Sequence, residues 1–90
     1  MFTDHARDKI RKEMKKFDIT EKTIKQIVNK PDEIFYDALR NRFVAISWSR
    51  NLAVIQEKTN HHFIVITVIY STELKDIVNR RRRTGRWIQS

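Results

Sequence analysis

The groups best suited to chemistry in this 90-residue chain are cations. The stretch NRRRRTGRWIQS sets Arg80, Arg81, Arg82 and Arg83 in one run, then Gly85, Arg86 and Trp87. Arg40 and Arg42 flank the start of an apolar segment, His5 stands near the N-terminus, and Thr67 interrupts the apolar run FIVITVIY. Together these types suit RNA phosphate chemistry. Metal-free cleavage needs a base for the 2′-OH proton, an acid for the leaving 5′-oxygen and cations for the charged phosphorane. His5 is the candidate proton carrier, or an ordinary exposed histidine. Arg42, with Arg40, is a candidate phosphate clamp, or an edge charge that discourages aggregation. Thr67 bonds the local backbone or opens toward a cleft. Trp48 and Trp87 stack on bases or pack in the core. Cleavage of this kind leaves a 2′,3′-cyclic phosphate and needs no divalent metal.

Other chemistries are absent. Without cysteine there is no disulfide, thiolate metal site or cysteine nucleophile. A single glycine makes no phosphate-cradling loop. His61 and His62 are adjacent, point different ways, and do not chelate one ion. No metal and no cofactor is therefore expected.

Charge points to the partner. Nineteen Lys and Arg against eleven Asp and Glu give +8. Residues 1–30 hold nine bases and five acids, residues 31–60 four of each, and residues 61–90 six bases and two acids. A positive potential at both ends of a small domain suits a polyanion. RNA is expected before DNA, and an acidic protein segment is the alternative partner. No apolar run approaches the roughly 18 residues of a membrane span, so a membrane partner is not expected and the cytoplasm is the expected compartment.

Twelve isoleucines and six valines against three leucines favour β-structure. The spacing of Ala6, Ile10, Met14 and Phe17 predicts a helix over residues 4–17. Lys12, Lys15 and Lys16 fall on its polar side, as a phosphate-facing surface or a solvated one. Thr20 caps a second helix over 20–29, which Pro31 ends. Strands follow between 33 and 70. The segment 62–70, apolar on both faces apart from Thr67, is expected at the centre of the sheet with Ile66 in the core. A third helix spans 72–83, with Gly85 as its stop. The prediction is a single α+β domain over residues 1–90 with a basic extension at 79–90. The helices, two at the N-terminus and a basic one at the C-terminus, are expected to pack on one face of a four-stranded antiparallel sheet. Its RNA-binding surface joins Lys12, Lys15 and Lys16 to Arg80, Arg81, Arg82, Arg83, Arg86 and Trp87.

The segments DHARDKI, ITEKTIKQIVNKPDEI and IVITVIY resemble the small RelE/BrnT-like toxin superfamily. The likeness is to the branch that begins with a His-Ala helix and finishes on a Val-Thr-Val strand, and it spans residues 4–70. It implies two helices on a curved antiparallel sheet and a ribonuclease toxin held in check by an acidic antitoxin. The motif histidine and threonine fall on His5 and Thr67. The first helix is longer here by about one turn, and the extension KDIVNRRRRTGRWIQS lies outside the family pattern.

Overall fold

Thr3 starts the first helix and anchors it. In a computed structural model, which describes residues 1–60 and 62–90, the Thr3 hydroxyl accepts from the Ala6 N–H at 3.1 Å and donates to the Ile66 carbonyl at 3.2 Å. One side chain thus caps α1 (Asp4–Lys9) and ties it to a strand late in the chain. Beyond Lys9 the coil continues as a π-helical turn (Ile10–Met14) and a 3-10 turn (Lys15–Phe17). The segment is helical over the expected residues but not regular. The Ile19 N–H bonds the Met14 carbonyl at 3.2 Å, and Asp18 turns the chain with φ 62°. Ala6, Ile10 and Met14 stay buried, and the next buried place passes to Ile19. Phe17 is left outside, stacked on Tyr70 with ring centres 4.0 Å apart. In α2 (Glu21–Asn29), Thr20 and Thr23 each accept the other's backbone N–H, and Ile24 and Ile27 are buried. His61, expected with His62 to make no metal pair, lies outside the described residues.

Among the described residues, five strands form one antiparallel sheet in the order β4-β3-β2-β1-β5. They are β1 (Glu33–Asp37), β2 (Arg42–Ser47), β3 (Leu52–Thr59), β4 (His62–Tyr70) and β5 (Trp87–Gln89), with α3 (Leu74–Arg83) between the last two. This corrects three expectations. A fifth strand is present, because the residues after Gly85 return to pair with β1. Three residues are too few for alternation to reveal.

The second correction concerns β4, which is the outermost strand rather than the central one. Its apolar character has other causes. Val65 and Val68 join the core beside α1, Ile69 packs toward the opposite core, and the N-terminus covers part of the free edge. The Val65 N–H bonds the Met1 carbonyl at 2.8 Å, and the Thr3 N–H bonds the Val65 carbonyl at 3.0 Å. Ile66 is the extra residue of a bulge, since Ile55 pairs with Thr67 and Gln56 with Val65. Third, the helices do not share one face. The α1 and α2 side buries Ala45, Leu52 and Val54. Leu74 and Val78 of α3 instead pack on Phe35, Val44, Ile46, Ala53, Ile55 and Trp87, on the other side. No helix among the described residues is long and apolar enough to cross a membrane.

The register separates two substitutions. Val54 is fully buried in the interior strand β3, so Val54→Asp should prevent folding. An unpaired buried charge costs several kcal/mol, a large share of the roughly 5–15 kcal/mol that stabilises a domain. Ile66 is half-buried at the bulge, so Ile66→Asp should leave a folded chain with a lower melting temperature. Circular dichroism melts check both, and the opposite ranking would contradict the register.

Candidate functional site

Four arginines on consecutive helical positions point about 100° apart, so they do not act as one group. Arg80 and Arg83 are exposed, and Arg82 lies over the Phe35 ring at 5.7 Å. Arg81 turns inward and covers the Trp87 ring at 5.1 Å. The helix then stops as its glycine requires. Gly85 has φ 75°, its N–H bonds the Arg82 carbonyl at 3.0 Å, and the Arg86 N–H bonds the Arg81 carbonyl at 2.9 Å. This paired closure is the Schellman arrangement. It reverses the chain, so that Trp87 enters the sheet opposite Asp37.

The reversal closes a cavity of about 260 Å³ on the α3 face of the sheet. Asp37, Arg40, Arg42, Thr67, Arg81 and Arg86 supply its polar lining, with Trp87 against it. Strand pairing brings these groups together: Asp37 lies between Arg42 and Trp87 in the register, while Thr67 faces Ile55. At the outer edge, Lys9 of α1 reaches round β4 and places Nζ 3.5 Å from Thr67 Oγ1, a long contact.

Asp37 is the only acid in that lining, and it is 3% exposed. Its Oδ1 accepts from the N–H groups of Leu39 at 3.1 Å and Arg40 at 3.2 Å, and its Oδ2 lies 3.7 Å from Arg86 Nε. Arg42 Nε lies 3.4 Å from Glu57 Oε2. These ion pairs lack hydrogen-bond alignment. Arg42 Nε, Arg86 Nε and Trp87 Nε1 are all buried without a hydrogen-bond partner among the described residues. Such groups carry an unrelieved desolvation cost. Burial first, then the charges of Arg86, Arg40 and Arg80, push the Arg81 guanidinium below its ordinary range, against the opposing pull of Asp37. An arginine remains protonated even so. The shift therefore reflects burial first and the neighbouring cations second, and an anion would offset the second.

A larger depression, about 680 Å³, runs along the solvent side of α3 between Asp76, Asn79, Arg80, Arg82 and Arg83. No buried unpartnered group lines it, so we place the chemistry in the smaller cavity.

Of the residues singled out in the sequence, the cavity gathers Thr67, Arg40, Arg42, Arg81, Arg86 and Trp87. His5 is exposed one turn before Lys9 on the same side of α1 and does not line it. Lys12, Lys15 and Lys16 are exposed on the turns after α1, in the layer opposite α3. They do not form one surface with the arginines, because the sheet lies between. Trp87 is 2% exposed and stacks on Phe35 at a ring separation of 6.2 Å, so packing takes the place of base stacking. Only its indole N–H is left without a partner. Trp48 is half-buried and donates from Nε1 to Glu33 at 2.9 Å. Sequence reasoning missed Asp37. The segment Asp-Ala-Leu-Arg held a signal, because an aspartate commonly accepts N–H bonds from residues just after it in a turn. Comparisons with protein-family models, curated proteins and solved structures find no match.

Asp37→Asn preserves the oxygen that accepts from Leu39 and Arg40 but removes the charge facing Arg86. Stability should fall by about 1–3 kcal/mol, the usual worth of a contact to a charged group, while affinity for phosphate-bearing ligands rises. Urea denaturation and anion titration read the two effects. An unchanged denaturation midpoint would show that the Asp37–Arg86 pair contributes no stability.

Proposed function

We propose that this chain is an RNA-binding domain that seats a backbone phosphate in the arginine cavity. One observation carries the reading: Arg42 Nε, Arg86 Nε and Trp87 Nε1 are buried donors without hydrogen-bond partners among the described residues, beside an Arg81 with cationic neighbours. A phosphodiester supplies several acceptor oxygens for these donors, and its negative charge adds to that of Asp37 and Glu57, which face the two arginines without hydrogen-bond alignment. The cavity is small, which suits one phosphate of a flexible strand better than the rigid backbone of a duplex. Outside it, Arg80, Arg83, Lys12, Lys15 and Lys16 add a long-range attraction that is not site-specific. The net charge of +8 and the RelE/BrnT-like motifs agree with RNA as the polyanion. An acidic protein such as an antitoxin is the alternative occupant of the same cations, and it would compete with RNA.

Endonucleolytic cleavage is the second reading, favoured by the contact between Lys9 Nζ and Thr67 Oγ1 on the cavity rim. With the arginines, that lysine would stabilise the charge of a phosphorane, and His5, one turn before it on the same side of α1, is the histidine candidate for moving protons. Labelled RNA incubated with the chain and EDTA tests it. Cleavage should leave 2′,3′-cyclic phosphate ends, and His5→Ala should slow it about 10²–10⁴-fold. An inert wild type would leave a binding domain.

Paired variants of equal charge test the binding reading. Arg42→Gln with Arg81→Gln should weaken single-stranded RNA binding more than Arg80→Gln with Arg83→Gln. It should also flatten the slope of log K against log salt by about 0.7 unit, since each neutralised phosphate contributes roughly that much on single strands. Equal losses from the two pairs would reduce the arginines to a diffuse positive surface.

A further inference from the structure

The opposite face of the sheet carries an aromatic row that meets α2 at its Gln56 end. Ile88, Tyr36, Phe43 and Gln56 are neighbours across β5, β1, β2 and β3. Tyr36 and Phe43 have ring centres 5.4 Å apart, and Phe43 meets Phe63 edge-on at 6.1 Å. Phe63 is 41% exposed and Ile88 53%, values that folding alone does not require. Beside Phe63 lies a cavity of about 280 Å³, lined also by Phe2, Val28, Val65, Lys25 and Gln56. Its size is near the lower end of small-ligand pockets, roughly 300–1,000 Å³.

Gln56 decides what fits. Its side chain is 3% exposed, and Oε1 is buried without a hydrogen-bond partner among the described residues. A purely apolar occupant would leave that oxygen unpaired. A ligand that brings a hydrogen-bond donor together with an apolar surface for Phe63 would satisfy both. Lys25 lines the cavity and no acid does; Lys58 projects from the same sheet face and pairs with Phe63 in the register. An aromatic, donor-bearing occupant attached to negative charge meets these conditions. That describes a nucleobase on its phosphate backbone.

We propose that this cavity receives one unstacked RNA base, with Phe63 against its ring and Gln56 Oε1 accepting an N–H from its edge. The inference rests on the RNA-binding reading and extends it from phosphate to base. Register links the two sites. Phe43 and Gln56 directly follow Arg42 and precede Glu57 along paired strands, so the base cavity and the arginine cavity lie back to back at one end of the sheet. A strand passing over that end meets both. Stacking platforms of this kind hold single strands with little dependence on sequence.

The test compares a short single-stranded RNA with an abasic strand of equal length, using the full chain. Phe63→Leu keeps apolar bulk but removes the aromatic face. It should weaken RNA binding roughly tenfold, within the range for base–aromatic stacking, and leave both the salt slope and abasic-strand binding unchanged. In the wild type, the Gln56 side-chain amide resonances should shift with RNA and not with the abasic strand. Equal affinities of wild type and Phe63→Leu for RNA, with the Gln56 resonances unmoved, would overturn the base site while the phosphate site stands. Failure of both strands to bind would remove the phosphate reading and this one with it. Self-association abolished by Phe63→Leu would show a protein face instead, and would also overturn the proposal.

Discussion

The arginine cavity depends on one turn. Gly85 adopts a left-handed conformation that side-chain-bearing residues rarely take, and two backbone bonds close α3 around it. That closure sends Trp87 back into the sheet beside β1, where its ring becomes a floor for Arg81. Arg86 is carried to Asp37 by the same reversal. A chain that ran straight on after Arg83 would leave the four arginines as a solvated helix end. It would also leave Phe35 uncovered on its Trp87 side.

The cavity is held together by opposed demands. Asp37 organises the β1–β2 turn and faces Arg86, yet with Glu57 beside Arg42 it supplies only part of the charge that would balance Arg40, Arg42, Arg81 and Arg86. Burial strengthens every charge interaction there, favourable and unfavourable alike. The sheet around the cavity is closely packed on its α3 side. Fully buried Phe35, Val44 and Ile46 lie beneath the cavity's neighbours and fix the strands that carry them.

Much of this was legible in the sequence, and the failures share a cause. Helix limits followed from Thr20, Pro31 and Gly85, whose backbone preferences are local. Arg42, Thr67 and Arg81 could be named from residue type alone. Their meeting could not, because it depends on register: a bulge at Ile66 and a three-residue strand at Trp87 leave no periodic signal. The apolar run 62–70 was ambiguous in the same way. An interior strand and an edge strand covered by helices and by Met1–Thr3 carry the same composition. Lys12, Lys15 and Lys16 read as partners of the arginines because a sequence does not say which face of a sheet a helix takes. Gln56 gave no sign at all, since an unpartnered amide becomes visible only once its neighbours are placed.

Trp87 provides a direct report on the central claim. Its indole N–H is unpartnered against the arginine cavity, whereas the Trp48 indole N–H is already bonded to Glu33 and does not line that cavity. Nitrogen-15 NMR of the tryptophan side chains during titration with a short single-stranded RNA compares the two within one sample. If a phosphate enters the cavity, the Trp87 indole proton moves downfield as it acquires an acceptor, and the Trp48 signal stays in place. Saturating RNA that leaves the Trp87 resonance unmoved would contradict phosphate binding there.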